Sequence, residues 1–299
     1  MARFFLSFIC ILLICSLNSC KPHRERRAAS QTDNTPISET VSKVDSLESV
    51  YPDLEIPYMA DSVPRQIIRR EAYTTCYNHD TRCPNWVAWV LTSESASGSV
   101  EKKIWYDDNG NAMGITNFSP EMVRGKYILD GEAELPSPQF SDWDLMPDDM
   151  SHGHMCPAAD CQTSPEAITQ SYLLTNMCVQ AKYLNSGSWN KLEMKCRDLA
   201  QKYGRIFIVA GPVFYDGKVT SRMGNIAIPD AFFKVLLCME RNPKAIGFVY
   251  ANNNDPHNME ESACTVKEVE QLTGFDFFPQ LPDSIENEIE SKAKLNEWQ

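Results

Sequence analysis

The chain has 299 residues, 40 acidic against 28 basic side chains, a formal net charge of -12 and 43% hydrophobic residues. That balance is ordinary for a folded globular protein and gives no sign of a fibre, a repeat array or a wholly disordered chain. It also argues against a protein that wraps nucleic acid through a broad basic surface, while leaving room for an enzyme that meets a few phosphates through a divalent cation and one or two arginines.

Residues 1–19 read as a processing signal. Arg3 precedes an apolar run over residues 4–15, about the length of a signal-peptide core and too short to span a bilayer. Leu17-Asn18-Ser19-Cys20 then looks like a bacterial lipobox, in which Cys20 is acylated and becomes the N-terminus. This predicts a lipid-anchored protein of the bacterial cell envelope, facing the periplasm or the outside; a plain secretory signal with an incidental Cys20 is the alternative. Residues 20–65 are polar, rich in Ser, Thr, Glu and Lys, and without sustained period, which predicts a flexible tether. The folded domain is expected over residues 66–299.

Beyond the signal and Cys20 stand Cys76, Cys83, Cys156, Cys161, Cys178, Cys196, Cys238 and Cys264. An even number in an exported chain permits disulfides, and Cys76/Cys83 and Cys156/Cys161 are close enough in sequence to close small loops.

In chain order, Trp86-Val87-Ala88-Trp89-Val90-Leu91 predicts a buried strand. Residues 107–111 have turn chemistry, and residues 117–150 read as irregular surface chain. Residues 152–156 are expected to be extended, entering a turn at Pro157. Apolar residues at spacings of three and four predict a helix over 185–203, with Ser188 as N-cap and Gly204 past its end. Residues 205–212, 229–237 and 245–250 are apolar segments of strand type. Thr265 and Glu268 form a capping box for a helix ending at Gly274, and 283–298 is a polar helix candidate. The irregular alternation predicts an α+β fold: a central, largely antiparallel sheet with flanking helices.

The densest chemistry is Ser151-His152-Gly153-His154-Met155-Cys156-Pro157-Ala158-Ala159-Asp160, which holds two of the five histidines. On a strand, His152 and His154 share a face. Three readings fit. One histidine is a general base beside a metal; or His152, His154, Cys156 and Cys161 bind zinc; or this is a polar turn with bonded cysteines. Further on, Glu193 and Arg197 share a helix face at i, i+4, two turns after Asn185. An amide oxygen and a carboxylate suit a hydrated magnesium ion, and a guanidinium suits phosphate. Taken alone, these residues are better explained by a solvated helix with an i, i+4 ion pair and a polar turn before it.

The order His, Asn, Asn, Glu, Arg resembles the DNA/RNA non-specific endonuclease family, the ββα-metal (His-Me finger) nucleases, whose signature runs Asp-Arg-Gly-His, a short apolar step, then Pro-Ala-x-Asp. Asn176 to Gln180, Leu184-Asn185-Ser186-Gly187-Ser188-Trp189 and Leu192-Glu193 fit its later elements. So do Pro84-Asn85-Trp86-Val87-Ala88, Ile208-Val209-Ala210-Gly211-Pro212, the Ile228-Pro229-Asp230-Ala231-Phe232-Phe233-Lys234-Val235 run and residues 272–278. The resemblance implies a ββα-metal motif and a metal-dependent, largely sequence-nonspecific endonuclease acting on DNA or RNA through phosphate contacts, with 5′-phosphate products. It implies His154 as general base, Asn185 as the protein ligand of Mg2+ (Mn2+ and Ca2+ being the other candidates), and Glu193 on metal-bound water. Asn176 would fix the base region and Arg197 would steady phosphate charge. Two departures stand out: Ser151 and His152 occupy the positions of the family's Asp and Arg. A protonated His152 replacing that guanidinium predicts activity that changes across pH 5.5 to 8.5. The rival outcome is a nuclease scaffold kept as a binding module after losing catalysis.

Overall fold

The computed structural model describes residues 51–98, 123–240 and 242–298. The expected signal, Cys20, most of the tether, and the turn at 107–111 lie outside the described residues.

Seven strands form one sheet in the order Gln66–Arg69, Thr74–Asn78, Cys83–Thr92, Arg205–Val213, Ala231–Cys238, Lys244–Ala251, Ala263–Cys264, every neighbouring pair antiparallel. Spatial order follows chain order, so the sheet is a meander interrupted once, between Thr92 and Arg205. That long insertion carries the candidate site. The α+β architecture with a central antiparallel sheet is the one expected from the sequence.

The central strands are apolar throughout because both faces are covered. Period-two alternation sends Ile206, Ile208, Ala210, Phe232 and Leu236 to one face and Phe207, Val209, Phe233, Val235 and Leu237 to the other. The first face, the site face, packs against the helix Asn190–Tyr203 and the insertion. The back face packs against the helices Val266–Thr273 and Asp283–Glu290. The first of these starts as the capping box predicts: Thr265 Oγ1 accepts from Glu268 N at 3.1 Å, and Glu268 Oε2 accepts from Thr265 N at 2.7 Å.

Four features differ from the sequence reading. Residues 51–65 are packed chain, not tether: Leu54 and Met59 are buried in the back-face core, and Tyr58 bridges Asp276. Polar neighbours hid these few apolar anchors. Residues 283–298 are two elements, because the chain turns after Glu290 to bury Trp298 in the site-face core. Within 117–150, the described part forms a two-stranded hairpin, Val123–Arg124 with Tyr127–Ile128, and a short helix Phe140–Trp143, burying Ile128 and Trp143.

The fourth difference concerns the cysteines, all eight of which are free thiols. Cys76 lies in the back-face core and Cys83 in the site-face core, so the sheet separates that candidate pair. Cys83 neighbours Cys178 instead. Cys156 and Cys161 do meet, with Sγ atoms 3.5 Å apart.

Candidate active site

The site is built on a hairpin pairing Met150–His154 with Met177–Ala181. The close approach depends on Gly153: a Cβ there would stand 2.3 Å from Gln180 Oε1 and 2.6 Å from its Cβ. Asn176, fully buried, clamps the far end. Its Oδ1 accepts from Cys156 N at 3.0 Å, and its Nδ2 donates to the carbonyls of Cys156 and Ser171, each at 2.8 Å. Every polar atom of this amide is thereby used to fix the chain that follows His154, so Asn176 touches no solvent or reacting group.

His154 sits against the edge of Tyr172, with ring centroids 5.2 Å apart. Its Nε2 is enclosed and has no hydrogen-bond partner among the described residues. Burial, reinforced by the charges of Lys126 and His152, pushes the imidazole down to about 3. The ring is therefore neutral near pH 7, a free proton acceptor.

His152 has a different environment. Its ring is stacked between Tyr127 at 3.9 Å and Trp143 at 4.2 Å, nearly parallel to both. Burial and then Lys126 push it down to about 4. Burial thus disfavours its charged form, which argues against a protonated His152 in the place of the family's guanidinium. The aromatic sandwich needs two residues, Tyr127 and Trp143, from a stretch whose sequence gave no period.

After the hairpin the chain winds a π-helical turn, Leu184–Trp189, and continues into the helix Asn190–Tyr203. The helix thus begins before the expected cap, and the Ser188 hydroxyl donates to the His257 carbonyl at 2.9 Å rather than capping. The wide turn aims Asn185 back at the hairpin. Its Nδ2 donates to Ser151 Oγ at 3.0 Å and to the His152 carbonyl at 3.2 Å, which leaves Oδ1 uncommitted among the described residues. The turn is braced by the asparagine loop that follows the strand Lys244–Ala251. Asn252 Oδ1 accepts from Ala181 N and Asn254 Oδ1 from Tyr183 N, both at 2.8 Å.

Glu193 follows two turns later, half-buried, with the Trp189 indole beside its carboxylate. Burial pushes it up to about 7, against the pull of Lys234. Arg197 donates to Asp160 Oδ1 at 2.9 Å, and Trp89 Nε1 donates to Asp160 Oδ2 at 3.2 Å. One guanidinium nitrogen is thus committed to a buried carboxylate. Lys234 completes the group: it is fully buried, with Nζ 4.4 Å from the Trp189 ring and 5.2 Å from the Trp89 ring. Sequence reading passed over Lys234 inside an apolar run. Strand parity with Phe232 and Leu236 was the signal that it faces the site.

These side chains do not form a zinc centre. The His152 ring is enclosed by aromatics, Cys156 and Cys161 are buried in the core, and no group of three or more His, Cys, Asp or Glu among the described residues is placed to hold a metal. The donor set is instead one amide oxygen and one carboxylate. That set fits a magnesium ion that keeps most of its water shell.

Residues 53–284 match the sequence profile described as DNA/RNA non-specific endonuclease. The chain belongs to that family. It is similar to a nuclease of Nostoc sp., 28% identical over 235 residues that make up 75% of this chain and 77% of the relative. It is also similar to the mitochondrial nuclease EXOG of Xenopus laevis, 29% identical over 225 residues, 70% of this chain and 57% of the relative. A crystal structure of an EndoG/EndoGI complex shares the fold, with a TM-score of 0.57 at 21% identity, covering 79% of this chain and 92% of that one. The protein is thus an endonuclease of that family, with nucleic acid as its substrate class.

Proposed function

We propose that this endonuclease hydrolyses phosphodiester bonds of DNA or RNA with little sequence preference, in a metal-dependent reaction that leaves 5′-phosphate ends. The observation that carries the reading is the link between Asn185 and the strand of His154. The amide hydrogen bonds to Ser151 and His152 fix an uncommitted amide oxygen to the same hairpin as an unpartnered, neutral imidazole nitrogen.

In this reading the His154 imidazole takes the proton from the attacking water, and burial keeps it neutral and ready to do so. Asn185 Oδ1 and the Glu193 carboxylate would hold the ion and its water shell. When bound, Mg2+, or Mn2+ or Ca2+ in its place, supplies charge neutralisation of the phosphate and the leaving oxygen. Asn176 and Asp160 act at one remove, as positioning residues for the base strand and for Arg197. Contacts of this kind go to phosphate and carry no sequence information. The processing signal and Cys20 support an exported, lipid-anchored enzyme, which acyl-chain analysis of the mature N-terminus tests.

The deciding experiment incubates the purified protein with plasmid DNA and with RNA, in magnesium and in chelator, beside His154→Ala. Cleavage is expected with metal only, with kcat/KM lower by about a thousandfold in the variant and an unchanged Tm. End-labelling of the products then reads the phosphate position. A well-folded wild type that cuts neither substrate with any divalent ion sinks the reading, as does a His154→Ala variant of full activity.

A further inference from the structure

The reaction needs positive charge at the phosphate, and most of the cations near the site are already committed. His152 is stacked and neutral. Arg70 pairs with Asp130, Arg82 with Asp142, Arg124 with Asp144 and Arg197 with Asp160. Lys234 is sealed in the core beneath two indoles.

Lys126 is the exception. It is exposed at the tip of the hairpin Val123–Arg124/Tyr127–Ile128, which turns at Gly125 with φ of 59°. The hairpin is fastened to the site: Ile128 N donates to the Tyr172 carbonyl at 3.1 Å and Ile128 bridges Leu173. Lys126 Nζ lies 5.3 Å from the Tyr127 ring centre and 5.6 Å from that of Tyr172. Tyr127 is the ring stacked on His152, and Tyr172 is the ring against His154. The ammonium therefore stands one aromatic ring away from each imidazole. Both imidazoles respond to its charge, which is a second sign of proximity. Among the described residues no carboxylate pairs with it.

We propose that Lys126 is the phosphate-binding cation of this site, its ammonium held on the Tyr127 and Tyr172 rings and aimed at a backbone phosphate of the nucleic acid whose bond is to be cut. The inference rests on the phosphodiester reading above and adds to it the source of the missing charge. Two aromatic faces preorganise the long side chain, and the Lys126 ammonium contacts phosphate without reading bases. A lysine carried by a separate hairpin replaces a guanidinium on the base strand, and frees position 152 for the aromatic stack that stiffens it.

The test separates binding from cleavage. A fluorescently labelled single-stranded DNA oligonucleotide is titrated in chelator across a salt series with wild type, Lys126→Met, Lys126→Arg and His154→Ala. Lys126→Met keeps an unbranched apolar stem over the rings and removes only the charge. It is expected to bind about fivefold more weakly at low salt, with the slope of log affinity against log salt shallower by roughly 0.7, the value for one lost phosphate contact on a single strand. Lys126→Arg is expected to restore both. In cleavage assays Lys126→Met is expected to lose about a hundredfold in kcat/KM. Wild-type affinity and slope in Lys126→Met overturn the proposal, as do an arginine variant as weak as the methionine one and a wild type that does not bind. The hydrolytic reading fails separately, if wild type binds through Lys126 but cuts nothing or if His154→Ala cuts as wild type does.

Discussion

On the back face of the sheet, Phe233, Phe275, Phe277 and Phe278 meet in tilted and edge-to-face contacts 5.6 to 6.3 Å apart. On the site face the equivalent depth holds Trp89 and Trp189, but with the Lys234 ammonium between them and the Asp160 carboxylate beside it. Burying charge is costly even when it is paired, whereas closing aromatic rings over an apolar sheet is favourable throughout. The comparison teaches that one sheet divides the work: the back face stabilises the fold, and the site face holds charged groups where water is scarce and their fields are strong.

Glu193 gives the largest separation between the two roles. Its folded-state pKa is raised from 4.5 to about 7. The folded protein therefore binds this proton more tightly than the unfolded chain. Stability from the protonated form is fully present below pH 4.5 and lost as pH rises through about 7. Activity needs the carboxylate, the form that a bound divalent cation favours. Glu193→Gln is expected to cut kcat/KM by at least a hundredfold at pH 8 in magnesium. It is also expected to stabilise the fold at pH 8 by up to about 3 kcal/mol, with little change at pH 5. Thermal melts and initial rates at both pH values check this. A variant that loses both activity and stability at pH 8 would break the proposed division.

Phe277→Ala probes the back face alone. The ring is fully buried among other aromatics. Its removal is expected to lower unfolding free energy by about 3 to 5 kcal/mol, while kcat/KM below the melting transition stays within about twofold of wild type. Denaturant unfolding and cleavage assays at low temperature measure the two. A large fall in kcat/KM in a folded Phe277→Ala protein would mean that the faces are coupled.

The candidate site residues stand out in the sequence because they are clustered. His154, Asn176, Asn185, Glu193 and Arg197 fall within 44 positions, and their order resembles the signature of the family to which the chain belongs. The strands were legible because continuous β-branched and aromatic runs mean a sheet covered on both faces. What stayed hidden depends on chain distant in sequence. Tyr127 and Trp143 reach His152 from an irregular stretch, and Arg197 spends a nitrogen on Asp160, 37 residues earlier. Asn252 and Asn254 brace a turn 71 residues away. Leu54 and Met59 sit among polar neighbours, so composition assigned them to the tether although the back face needs them. Periodicity reports which side of an element is buried; it does not report which other element covers it.

The smallest expected effect sharpens the comparison most, because it tests how each face treats a buried carboxyl. Asp160, on the site face, has Arg197 and Trp89 as partners. Glu290, at the end of the back-face helix, is buried with Oε1 unpartnered, and burial followed by repulsion from Glu270, Glu286 and Asp276 pushes it up to about 9. At pH 7 it is therefore a neutral acid, and the back face keeps its apolar character. A raised folded-state pKa means that its stability contribution is present below pH 4.5 and is lost as pH climbs through about 9. Gln matches the protonated carboxyl in shape, so Glu290→Gln at pH 4.5 is expected to change stability by less than about 0.5 kcal/mol. As pH rises from there towards about 9 the wild type should lose stability that the variant keeps, and above that the two curves should run parallel. Melts of both proteins from pH 4 to 10 read the divergence. Parallel curves over that range would mean that Glu290 is already charged at neutral pH, and that the back face, like the site face, tolerates a buried anion.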